Sequence, residues 1–101
     1  MKEKQLYSIF KRKIKEFQPD CFCYKIPDGF GGGLRPFDMI LIIRDSIGVV
    51  FPVAIEFKMK GKKPTPYQSI QLQLFKKAGG ISKVYTYGID SMDEFILNLI
   101  N

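Results

Sequence analysis

In FPVAIEFKM, residues 51–59, Glu56 and Lys58 interrupt the most apolar run of the chain. An unpaired charge there costs several kcal/mol. Strand side chains alternate, so Val49, Phe51, Val53, Ile55, Phe57 and Met59 share a wholly apolar face, while Val50, Pro52, Ala54, Glu56 and Lys58 share the other. A wet face would be polar along its whole length. Here only the C-terminal end is polar, which marks a local polar site at the end of a buried strand. Asp38 opens the preceding apolar run, FDMILII. If the two runs pair as an antiparallel hairpin, Asp38 meets Glu56 at one end of the sheet. Close carboxylates repel unless one is protonated or a cation sits between them, and hard oxygen donors suit Mg²⁺ or Mn²⁺. Lys58 can then neutralise developing charge or orient an attacking water. The bland alternative is a buried Glu56–Lys58 ion pair beside an unrelated aspartate.

The elements that must position these residues are legible in order. In residues 3–17, Leu6, Ile9, Phe10, Ile14 and Phe17 recur every three or four positions, with Lys4, Lys11, Arg12 and Lys15 on the other side. This predicts an amphipathic helix with a basic outer face and Glu3 aimed inward at its start. A short strand over residues 20–26 leads into PDGFGGGLRP, whose glycines suit a turn or a close backbone approach. Strands follow at 37–43 and 49–59, separated by turn residues 44–48. After GKKP, Thr65 is a good N-cap with Pro66 at the first helical position, and Gly79 and Gly80 stop the helix. A strand at 82–87 and a helix at 92–100 complete the order α, three strands, α, strand, α.

The chain has 101 residues, 46% of them hydrophobic and 14% aromatic, enough for one α/β domain over 1–101 with a real core. No run reaches the roughly 18 apolar residues of a membrane span, and the charged start lacks a signal-peptide stretch, so a soluble cytoplasmic protein is expected. There is no histidine, and the two cysteines, Cys21 and Cys23, stand in CFCY. A Cys/His zinc cage and a His-dependent triad are therefore excluded within the chain. The two thiols fit small, reduced, partly buried side chains better than a redox pair. Formal net charge is +6, and the first 89 residues hold 16 basic against 7 acidic side chains, or +9. That surplus favours a polyanion such as nucleic acid. Arg35, Lys60, Lys62 and Lys63 flank the carboxylates in loops and suit phosphate contacts. Phe22, Phe30 and Phe37 could stack bases, although core packing suits most of them better.

Pro36-Phe37-Asp38, followed by a turn-separated strand ending in Glu56-Phe57-Lys58, resembles the PD-(D/E)XK nuclease signature, and the element order is similar to that superfamily's restriction-endonuclease-like core. The glycine-rich lead into Asp38, the early helix with Glu3, and GKKPTPYQ before a helix resemble more closely the small VRR-NUC branch of phage type and Holliday junction resolvases. The likeness spans nearly the whole chain. The spacing departs from it in that Phe37 separates the proline from Asp38, and the loop is GFGG-like. The resemblance implies a Mg²⁺-dependent DNA endonuclease, with Mn²⁺ as a substitute, acting on branched DNA. It implies that Asp38, Glu56 and the Phe57 carbonyl hold the metal, with Glu3 supporting it through water. It further implies that Lys58 positions water and Gln68 helps organise the site. Lys4, Lys11, Arg35, Lys60, Lys62 and Lys63 would contact DNA. A homodimer is expected, since cutting two strands needs two sites; no membrane and no small-molecule cofactor are. Three alternatives stay open. Thr65-x-x-Gln68 also fits a capping box, leaving Gln71 as the fallback site amide, and Glu3 also suits a helix N-terminus. The domain itself could be a non-catalytic basic DNA-binding module, or a restriction-like or nicking nuclease of linear duplex.

Overall fold

The computed structural model describes residues 1–27, 29 and 34–101; the glycine run at 31–33 and Phe30, considered above for base stacking, lie outside the described residues. The elements are α1 (Glu3–Phe17), β1 (Phe22–Lys25), β2 (Met39–Arg44), β3 (Val50–Met59), α2 (Pro66–Lys77), β4 (Ile81–Tyr87) and α3 (Met92–Ile100). The order is the expected one. β1 and β2 are shorter than expected at their starts: Cys21 is held by its N–H to the Gln18 carbonyl, and Asp38 stands just before β2.

The strands form one mixed sheet in the order β1-β2-β3-β4. β1–β2 and β2–β3 pair antiparallel, with Met39 opposite Ile55, whereas β3 and β4 run parallel, with Glu56 opposite Val84. A parallel pair needs a crossover, and α2 provides it between β3 and β4. No described helix is long and apolar enough to cross a membrane.

Alternation along β3 splits the core into two layers. Val53, Ile55 and Phe57 join Met39, Leu41, Ile43 and Tyr85 beneath Leu6, Phe10 and Ile14 of α1 and Ile96 and Leu99 of α3. Edge-on aromatic contacts tie this layer together, Phe10 to Phe57 at 5.6 Å and Tyr85 to Phe95 at 5.3 Å between ring centres. On the opposite face Ala54, Ile26 and Phe37 pack with Leu72 of α2, and the Phe37 and Phe75 rings meet edge-on at 5.5 Å. Phe37 is thus a core residue.

The apolar stripe on α2 faces the wrong way for a core. Ile70 and Leu74 are 54% and 52% exposed, and Leu72 with Phe75 turns inward instead. The end of α2 explains the orientation. Gly80 donates to the Phe75 carbonyl and Gly79, at φ 107, donates to that of Lys76, so the chain reverses under the Phe75 ring. A Cβ on Gly80 would lie 2.2 Å from that ring, so only glycine lets Phe75 sit there.

Candidate active site

Asp38 and Glu56 come together where β2 begins and β3 nears its end. The Asp38 N–H donates at 3.0 Å to the carbonyl of Ile55, the residue that Met39 already faces in the β2–β3 ladder. The next N–H on that edge of β3, that of Phe57, finds no further strand and donates to Asp38 Oδ2 at 2.6 Å. Asp38 therefore completes the sheet with its own side chain. Because a strand residue aims its N–H and C=O to the same side, the Phe57 carbonyl faces the same open end.

Both carboxylates are buried, Asp38 6% and Glu56 1% exposed. Each has a basic partner: Arg35 Nη2 stands 2.6 Å from Asp38 Oδ1, and Lys58 Nζ stands 3.1 Å from Glu56 Oε2. Arg35 Nη1 also donates to the Ile26 carbonyl at 3.3 Å. Among the described residues Glu56 Oε1, which is buried, has no hydrogen-bond partner. Burial, then the neighbouring Asp38 carboxylate, push the Glu56 carboxyl up to about 7, and Lys58 pulls the other way.

Asp38 opens onto a cavity of about 310 Å³ lined by Lys2, Glu3, Lys4, Tyr7, Lys25, Arg35 and Phe57. Glu56 and Lys58 are not on its wall. They lie behind Asp38, on the face of the sheet that α2 covers. Glu3 reaches the cavity from the first turn of α1, where the Lys2 N–H is capped by Gln5 Oε1 at 2.7 Å. Among the described residues no group of three or more His, Cys, Asp or Glu gathers into a metal-binding cluster, so Glu3 does not join Asp38 and Glu56 as a third close acid.

The remaining expected residues lie further out. Gln68 Oε1 accepts from the Thr65 N–H at 3.0 Å while the Gln68 N–H donates to Thr65 Oγ1 at 3.2 Å. This is the reciprocal capping box of α2. Gln71 is half-buried on the same helix, and Lys60, Lys62 and Lys63 are exposed just beyond β3. Lys11 is exposed on the outer face of α1. Cys21 and Cys23 are free thiols with sulfurs 3.8 Å apart and do not line the cavity.

Three wall residues escaped the sequence reading. Tyr7 follows Glu3 by one helical turn, a spacing that could have found it. Lys25 stands opposite Met39, next to Asp38, but only the β1–β2 register reveals this, and its Nζ lies 5.8 Å from the Tyr7 ring centre. Lys2 precedes α1 and had no local signal.

The molecule is thus an α/β protein with a four-stranded mixed sheet flanked by three helices, carrying a buried acidic pair with basic partners at one end of that sheet. Comparison with protein-family models, with curated proteins and with solved structures finds no match.

Proposed function

We propose that this chain is a divalent-metal-dependent DNA endonuclease with a restriction-endonuclease-like fold, akin to the VRR-NUC and Holliday junction resolvase branches of the PD-(D/E)XK nucleases and selective for branched DNA. The observation that carries this reading is the buried meeting of Asp38 and Glu56 at the sheet end, with one Glu56 oxygen left without a partner among the described residues. A buried oxygen of this kind fits a metal ligand, since desolvating it uncompensated costs on the order of 1–3 kcal/mol. Two carboxylates and a carbonyl form a sparse all-oxygen set, which suits Mg²⁺ because that ion keeps several waters.

Asp38, Glu56 and the Phe57 carbonyl would hold the cation, with Glu3 in reach through water from the cavity wall. A bound Mg²⁺ or Mn²⁺ would supply an acidified water and charge stabilisation for phosphodiester hydrolysis. Lys58 keeps Glu56 Oε2 oriented and, from behind Asp38, offsets negative charge at the proposed site. Lys2, Lys4, Lys25 and Arg35 give the cavity four basic side chains around Asp38, a fit for a DNA phosphate. Lys60, Lys62 and Lys63 extend the basic surface beyond β3, and Lys11 extends it along α1.

The second reading, a non-catalytic DNA-binding module, is favoured by one specific observation: both Asp38 oxygens are already engaged, by Arg35 and by the Phe57 N–H. A labelled four-way junction and its matching linear duplex, incubated with Mg²⁺, Mn²⁺ or EDTA, separate the two. We expect metal-dependent cutting of the junction in preference to the duplex, reduced on the order of 10²-fold or more in Glu56→Gln and in Lys58→Ala. Equal cutting of the duplex would point to a nicking or restriction-like enzyme. Tight binding without cutting under either metal would leave the binding module.

A further inference from the structure

We infer that Arg35 is a built-in competitor of the divalent cation, a positioning residue whose charge on Asp38 Oδ1 weakens metal binding until the guanidinium moves aside. The inference rests on the metal site proposed above and concerns how that site is loaded. The two carboxylates are unequal: Glu56 gives Oε2 to Lys58 and keeps Oε1 unpartnered, whereas Asp38 gives Oδ2 to the Phe57 N–H and Oδ1 to Arg35 at 2.6 Å. A cation can take Glu56 Oε1 with Lys58 still in place. At Asp38 it finds one donor already on each oxygen, and although each oxygen keeps a second lone pair, the donor on Oδ1 carries a full positive charge. The Phe57 N–H is fixed in the backbone of a buried strand, so the mobile partner is Arg35, on the connection ahead of β2 and also held by the Ile26 carbonyl at 3.3 Å.

Charge supports the same conclusion. Asp38 and Glu56 with Arg35 and Lys58 form a group of two acids and two bases, which is neutral when all four are ionised. Adding a divalent ion with Arg35 in place would set a guanidinium and a metal on one buried oxygen, where like charges repel strongly. Moving Arg35 relieves this, and the cavity it lines offers room for the guanidinium.

Mn²⁺ binding to the full chain, measured by calorimetry without DNA, tests the competition, with thermal melts in EDTA and in Mn²⁺ as a second readout. We expect Arg35→Gln to bind Mn²⁺ roughly tenfold more tightly than wild type, the lower end of what one charge-assisted hydrogen bond supports. Its Tm should fall in EDTA, because Asp38 is left buried without its cation, and Mn²⁺ should raise it by more than it raises the wild-type Tm. Asp38→Asn should abolish binding. Equal or weaker Mn²⁺ affinity in Arg35→Gln, with binding still lost in Asp38→Asn, overturns the competition and leaves the metal site standing. Mn²⁺ binding that is absent from wild type and Arg35→Gln alike, or indifferent to Asp38→Asn, removes the metal site and the competition with it. Should Arg35→Gln fail to fold, Arg35→Met keeps an apolar stem of similar length and removes the charge. Tighter Mn²⁺ binding by that variant supports the inference, and unchanged or weaker binding overturns it.

Discussion

Burial and the neighbouring Asp38 charge raise the Glu56 carboxyl from its ordinary 4.5 to about 7, and this ties folding stability to pH in a definite direction. The folded protein holds the Glu56 proton more tightly than the unfolded chain does. The stabilisation is therefore present in full below about pH 4.5 and is lost as pH rises through about 7. At 1.36 kcal/mol per pH unit the gap corresponds to roughly 3 kcal/mol. Glu56→Gln removes the titration while keeping the shape. In urea unfolding with EDTA present, wild type should lose roughly 3 kcal/mol relative to Glu56→Gln between pH 4.5 and 7, and the two should run parallel above pH 8. Parallel curves across the whole range would mean that Glu56 is not held against Asp38 in a dry setting. The acidic pair itself was legible in the sequence, because period-two alternation and a hairpin suffice to bring Asp38 opposite Glu56. The Arg35 contact was not. Arg35 stands three residues ahead of Asp38 in an irregular segment, where spacing says nothing about direction, and it read as a loop cation awaiting a phosphate.

At the scale of elements, capping chemistry and periodicity made the helix positions readable, and packing decided what they face. α1 and α3 match their expected bounds because each carries a clean apolar stripe, Leu6, Phe10 and Ile14 in one and Ile96 and Leu99 in the other. α2 does not follow its stripe. Its inward side is chosen by what the sheet offers, the small Ala54 and the bare Gly80 beneath Phe75, and no local pattern in α2 encodes that. The cavity was illegible for a similar reason, since it forms where three elements distant in sequence converge. Gln68 is where element and site meet, because its side-chain oxygen is committed to the Thr65 N–H. If capping is its whole role, Thr65→Ala and Gln68→Ala should each cost about 1 kcal/mol or less in urea denaturation and lower junction cleavage to the same small extent. A fall in cleavage rate of 10²-fold confined to Gln68→Ala would place its amide at the reacting phosphate instead.

For the molecule as a whole, the uneven coverage of the sheet bears on assembly. α1 and α3 roof one face, but α2 covers only the β3–β4 side of the other, so that Phe22 and Tyr24 of β1 stand 55% and 50% exposed beside exposed Ile42 and Val50. Register places these side chains on one surface, with Phe22 opposite Ile42, Ile42 opposite Pro52, and Arg44 opposite Val50. The charge at its border, Arg44, is paired with Asp20 at 3.1 Å. A polyanion has little to hold there, and its phosphates are better served by the lysines around the cavity. A second copy of the chain suits the surface, because an apolar face whose border charge is already paired lets two molecules of net charge +6 approach, and a two-fold axis sets the same patch of each against the other. The two aromatics, at about half exposure of side chains that bury roughly 150–250 Å² each, with Ile42, Val50 and Pro52, supply the centre of such an interface. The roughly 800 Å² per partner of a stable dimer would need the rim as well. This surface would serve the homodimer that the proposed cleavage of two strands calls for. Sedimentation at micromolar concentration should give a dimer for wild type and a monomer for Ile42→Lys with unchanged far-ultraviolet circular dichroism. The Ile42→Lys monomer should still bind Mn²⁺ but convert a four-way junction into singly nicked product, since the two cuts no longer arise in one complex. A wild-type chain that sediments as a monomer at every concentration, or an Ile42→Lys dimer, would return this face to solvent and leave each proposed nuclease site to act alone.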